Sequence, residues 1–150
     1  MANVTDRSKK IGKIASLAAA EERRFGEMAG RARRHLQEQL DRLGELNAFR
    51  HNYEQKAAGQ ATLRAAHWQD YQSFLHRLDT AVKAQQQIVR DSERALEVHR
   101  QRWIAKRQRL ESLQKVLEKY RANERVQESR REQKTLDELA SKQPAFPEDQ

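Results

Sequence analysis

YQSFLHRLDTAVKAQQQIVRDSERALEVHRQRWIAKRQRLESLQKVLEKY, residues 71–120, decides the fold. Its stripe steps by threes and fours through Tyr71, Phe74, Leu78, Ala81, Gln85, Ile88, Ser92, Leu96, His99, Trp103, Lys106, Leu110, Leu113, Leu117 and Tyr120. That spacing hides one narrow face of a helix, as in a coiled coil. Ser92, His99 and Lys106 put polar groups in the stripe, which costs stability and fixes register and partner number. Neither glycine nor proline occurs from Gln60 to Gln143. A domain containing a sheet would need turn residues well within that distance. The reading is one helix from about 62 to 141, stopped by Pro144 and Pro147 ahead of a flexible tail over 144–150.

Upstream the same spacing runs through Ile11, Ile14, Ala18, Phe25, Met28, Ala32, Leu36, Leu40, Leu43, Leu46, Phe49 and Tyr53, with Glu21 at the intervening position. The two successive fours, Ala32 to Leu36 to Leu40, predict a local relaxation of the supercoil. Gly59 follows the run as a helix C-terminal signal, and Thr62 is a candidate cap for the next helix. The chain therefore reads as all-α, a long two-helix antiparallel coiled-coil hairpin over 1–143. Helix 1 covers about 6–57, the turn about 58–61 and helix 2 about 62–141. A turn near 60 pairs positions whose numbers sum to about 120. It sets Phe49 against Tyr71, Leu46 against Phe74, and Tyr53 against His67 and Trp68. Helix 1 is then exhausted opposite about residue 114, and helix 2 overhangs it. The overhang is very polar, and like-charged pairs such as Arg121–Arg125 and Glu128–Glu132 oppose its helicity. It is expected to fray alone and to be ordered by a partner.

Composition agrees with a thin core: 37% hydrophobic and 35% charged residues over 150 positions, with a formal net charge of +8. Average domains are richer in apolar residues and poorer in charge. The absence of cysteine removes disulfides, thiolate chemistry and cysteine-bearing zinc sites. No apolar run approaches a bilayer span, and the N-terminal stretch, broken by Gly12 and Lys13 and closed by Glu21 to Arg24, reads as helix rather than signal peptide. A two-helix hairpin offers no pocket in which to converge catalytic groups. The five histidines lack metal-ligand spacing and every glycine is isolated, so no metal, cofactor or phosphate loop is expected. The basic runs Arg31, Arg33, Arg34 and Arg100, Arg102, Lys106, Arg107, Arg109 are interleaved with acids such as Glu38, Asp41 and Glu111. They read as solvated surface, with no nucleic-acid partner.

Five of the nine aromatic residues, Phe49, Tyr53, Trp68, Tyr71 and Phe74, gather near the turn. Such a cluster either zips the hairpin end or forms an exposed patch for a partner.

Three segments carry a resemblance. LNAFRHNY (46–53), WQDYQSFLHRLDTA (68–81) and RREQKTLDELA (130–140) occur in order around the turn. Together they resemble the FliJ family, the small component of the bacterial flagellar type III export apparatus, across nearly the whole chain. The resemblance implies a two-stranded stalk that binds and stimulates the hexameric flagellar export ATPase, docks on the membrane export-gate protein and escorts export chaperones, without catalysis. It implies a cytoplasmic protein, peripheral at the cytoplasmic face of the inner membrane and monomeric when free. The gate-contact positions correspond to Leu46, Phe49, Tyr53, Phe74, Leu78 and Ala81. Phe49 stands where the family usually has Tyr, and Arg42 and Gln85 stand where it has Gln and His. The free ends of the hairpin supply Lys9, Lys10, Lys13, Arg125, Arg130 and Arg131 as the basic groups expected to approach the ATPase. The equivalent stalk of a virulence-type (injectisome) secretion system and a self-associating coiled-coil scaffold are the alternatives.

Overall fold

The structure, a computed structural model, describes residues 4–59 and 65–143. Helix α1 spans Val4–Ala58 and helix α2 spans Ala65–Lys142, with no strand among the described residues. The fold is all-α, a helical hairpin. Gly59 closes α1 by donating its N–H to the Gln55 carbonyl at 3.1 Å, without leaving the negative-φ region. The Thr62 cap, residues 60 and 61 of the turn and the 144–150 tail lie outside the described residues. Two compact units form: one of Met1–Glu22 with Lys106–Gln150, the other of Arg23–Ala105.

Within the 23–105 unit the helices meet antiparallel. Paired residue numbers sum to 123 for Phe49 with Phe74, 124 for Gln39 with Gln85, and 129 for Arg50 with Asp79. The expected sum of 120 is thus corrected by about one helical turn. The physical reason is the seam itself: the paired Gln39 and Gln85 amides and the interlocked rings of Phe49, Tyr53, Tyr71 and Phe74 fit one another only in this register. Phe49 consequently faces Phe74 rather than Tyr71, and Tyr53 faces Tyr71 and Phe74.

The seam of this unit is a strict heptad. On α1, Phe25, Ala29, Ala32, Leu36, Gln39, Leu43, Leu46, Arg50, Tyr53 and Ala57 are all buried or half-buried. The expected relaxation at Ala32–Leu36–Leu40 is absent: Gln39 is 5% exposed while Leu40 is 38% exposed. On α2, Val82 and Val89 are buried where Ala81 and Ile88 were expected to carry the seam; Ala81 is half-buried and Ile88 exposed. Leu75 joins Phe74 in partial burial. One cause covers these corrections. Alternating steps of three and four keep each helix's stripe facing its partner, and an out-of-phase aliphatic, however apolar, turns toward water.

Gln39 occupies the seam because Gln85 does. The Gln85 Nε2 donates to the Gln39 carbonyl at 3.0 Å and to its Oε1 at 2.9 Å. A buried amide left unpaired would cost about 1–3 kcal/mol, so this layer favours one register over its neighbours. Ser92, 5% exposed, satisfies itself by donating to the Ile88 carbonyl at 2.8 Å. Gln85, Ser92 and His99 recur at seven-residue intervals, with His99 half-buried and its Nδ1 unbonded. Gly26 permits Trp103 to close on the backbone of α1, since a Cβ there would lie 3.0 Å from the indole Nε1.

In the other unit, Ser8, Ala15 and Ala18 of α1 are buried. Small residues at the seam let the backbones approach closely. Glu22, rather than the expected Glu21, takes the seam position; exposed Glu21 instead accepts a 2.9 Å bond from Lys106 Nζ. On α2, Leu110, Leu113, Leu117, Tyr120, Ala122 and Glu124 are half-buried, and every residue from 125 to 143 is exposed. Pairing therefore extends past the expected limit near 114, and the uncovered part of α2 starts at Arg125.

Candidate partner-binding surfaces

The 23–105 unit brings together all six residues of the expected gate-contact set. They do not share one environment. Leu78 is 8% exposed and belongs to the seam, whereas Phe49 is 53% exposed. Leu46, Tyr53, Phe74 and Ala81 are half-buried. The rings interlock: Phe49 meets Phe74 edge-on at 6.2 Å, Tyr53 lies 4.5 Å from Phe74, and Tyr53 stacks on Tyr71 at 5.2 Å and 15°. Trp68, half exposed, extends the ladder by stacking on Tyr71 at 5.6 Å. Each offset or edge contact adds about 0.5–1.5 kcal/mol beyond its buried area. The cluster thus does both things its sequence allowed, zipping the helices with inner faces and offering outer faces to water.

Arg50 clasps the same end. Its Nε donates to Glu54 at 3.1 Å and its Nη1 pairs with Asp79 of α2. Both groups keep about a third of their surface in water, so the pair contributes a fraction of a kcal/mol and mainly orients the helices. The sequence reading placed Trp68 in the aromatic cluster but not among the gate contacts, and it passed over Arg50–Asp79 as a cross-helix pair. The corrected register exposes the second; the aromatic spacing already contained the first.

Lys9, Lys10, Lys13, Arg125, Arg130 and Arg131 all belong to the other unit and are all exposed. Lys9 and Lys13 line an open groove of about 790 Å³ with Ser8, Gly12, Ser16, Leu17 and Arg121. Arg125 and Arg121 line a second, of about 530 Å³, floored by Gly12, Ala15 and Ala19 against Leu110 and Leu117. The structure therefore gathers Lys9, Lys13 and Arg125 around Arg121, a residue the sequence reading named only for its like-charge pair with Arg125. Lys10 lines neither groove, and Arg130 and Arg131 sit on the uncovered continuation of α2. Leu17, 70% exposed, gives the first groove an apolar wall among cations.

Among the described residues no three His, Asp or Glu side chains are placed to hold a metal ion, and no helix is long and apolar enough to cross a membrane. A family profile described as "Flagellar FliJ protein" matches residues 8–146. The chain belongs to the FliJ family. That membership makes it a component of the flagellar protein export apparatus, within a family that is not catalytic. No curated protein and no solved structure matches the chain.

Proposed function

We propose that the chain is the stalk of the export apparatus: it binds and stimulates the hexameric export ATPase and docks on the membrane export gate, escorting export chaperones between them. It works in the cytoplasm, peripheral to the inner membrane. The observation that carries this reading is the aromatic ladder. Phe49 and Trp68 stay half exposed although burying a large apolar side chain gains about 1.5–3 kcal/mol, which suits a surface covered by a partner. Phe49, Tyr53, Phe74 and Ala81 form the gate face, with Leu46 and Leu78 supporting it from the seam. Lys9, Lys10, Lys13, Arg125, Arg130 and Arg131 approach the ATPase, joined by Arg121. Their test is ATPase stimulation by the Arg130→Glu, Arg131→Glu double variant, expected to fall with helicity unchanged; full stimulation removes those residues from the interface. For the gate face, Phe49→Ala is the cleaner probe than Leu78→Ala, because Leu78 also holds the seam. Gate binding by Phe49→Ala should drop about tenfold, an effect typical of an interface anchor.

A further inference from the structure

Arg23, Arg31, Arg33 and Arg34, read from sequence as dispersed charge, gather around two glycines. Gly26 and Gly30 leave a gap on α1. On one side lies a groove of about 610 Å³, lined by Gly26, Ala29 and Gly30 against Leu96 and Trp103, with Arg33 and Arg100 at its rim. On the other lies a hollow of about 510 Å³ where Arg23, Arg31 and Arg34 surround the same glycines, with Glu27 among them. All five arginines are exposed, and none pairs with a carboxylate among the described residues. Trp103 explains Gly26. It does not explain Gly30, where an added Cβ would meet only the Arg34 guanidinium, at 3.8 Å. Glycine inside a helix weakens it relative to alanine, and at Gly30 no described residue other than Arg34 comes within 4 Å of the space so opened.

We propose that this cleft is a docking site for an acidic amphipathic helix of a partner protein, separate from the aromatic face. A helix laid in the groove sets small or aliphatic residues against Gly30, Ala29, Leu96 and the Trp103 indole. Its flanking carboxylates reach Arg33 and Arg100 on one edge and Arg23, Arg31 and Arg34 on the other. Arginine suits this role because its planar fork binds carboxylate through two parallel hydrogen bonds. The gap at Gly30 lets the partner's backbone come close. An apolar floor between charged rims is how helices are recognised in grooves. A nucleic acid would use a continuous basic track instead, and Glu27 interrupts this one.

The test uses the full chain carrying Trp68→Phe, so that Trp103 is the single tryptophan. The probes are a synthetic helical peptide with glutamates flanking a Leu/Ala face, a scrambled peptide of the same composition, a single-stranded oligonucleotide and phosphatidylglycerol vesicles. The amphipathic peptide should shift Trp103 emission and bind about tenfold or more tightly than the scrambled one, with affinity falling as salt rises. Arg33→Glu with Arg100→Glu should weaken it about tenfold or more. Gly30→Leu, which keeps every charge and should not perturb helicity, should weaken it as much by filling the gap. Equal binding of the scrambled peptide, tighter binding of the oligonucleotide or vesicles, no binding of the amphipathic peptide, or unchanged affinity in Gly30→Leu would each overturn the proposal.

Discussion

Leu78, Val82 and Val89 on one stretch of α2 are 8%, 5% and 6% exposed, whereas Leu136 and Leu139 on a later stretch keep 65% and 60% of their surface in water. Both stretches are regular helix. They differ in phase and in position, since the second lies past Glu124, the last covered residue of α2. In the first, the seven-residue count lands on Leu78, Val82, Gln85, Val89 and Ser92, mostly small or aliphatic. Continued past Glu124, the same count lands on Gln127, Arg131, Lys134 and Glu138, while Val126, Leu136 and Leu139 fall out of step. The helix continues but its stripe ends. A covered helix needs both a facing helix and aliphatic residues in step with the count; the end of α2 has neither.

The sharpest way to break this comparison is to truncate one leucine in each stretch. Leu78→Ala should lose about 2–4 kcal/mol in thermal or denaturant unfolding, the cost of a cavity in a packed seam. Leu136→Ala should change stability by about 0.5 kcal/mol or less in the same measurement. Comparable losses at the two sites would show that the end of α2 is covered in solution. The polar layer gives the next effect. Gln85→Leu strands the Gln39 amide and should cost about 1–3 kcal/mol, while Gln39→Leu with Gln85→Leu should recover that loss and relax the choice of register. Sedimentation would read that relaxation as a broader mixture of assembly states in the double variant than in the parent.

Smaller still are the glycine effects, which oppose one another. Gly44→Ala, with nothing within 4 Å of the added Cβ, should gain about 0.5–1 kcal/mol. Gly26→Ala should gain nothing or lose stability, because its Cβ would press on Trp103 at 3.0 Å. Melting temperatures of the two variants in parallel decide this. The smallest effect belongs to Asp79→Ala, which releases Arg50 and should cost less than about 1 kcal/mol, with the loss shrinking as salt is added.

The sequence made the hairpin legible because periodicity runs through α1 and through α2 as far as Glu124. It misplaced individual seam residues where two adjacent positions compete. Leu40 is more apolar than Gln39, and Ile88 as apolar as Val89, so a tally of hydrophobic residues cannot choose between them. The choice is made by the unbroken alternation of three and four and by the hydrogen bonds Gln39 makes to Gln85. The register error had a different source, since the sum of paired numbers depends on where the helices end, and helix ends carry weaker signals than helix interiors. At the candidate surfaces the aromatic cluster was legible as a cluster, but its division into inner and outer faces was not. That division follows from the seven-residue count, which puts Leu78 in the seam and leaves Phe49 beside it. Arg121 and the arginines around Gly30 were illegible for a plainer reason: charged residues have no periodic signature, and only three-dimensional placement separates a gathered group from a scattered one.

An unbroken count of seven between Phe25 and Ala57 on α1, matched on α2, also constrains how this protein can vary. One codon inserted anywhere between Gln39 and Tyr53 would rotate everything on one side of it by roughly 100°, swinging one flank of the stripe out of contact. Seven inserted codons would restore the facing but slide Gln39 a full repeat away from Gln85, unless seven more entered the opposite strand. Lineages that lengthen or shorten this protein are therefore expected to do so in matched steps of seven across both strands, or else beyond Glu124, where no partner residue keeps count.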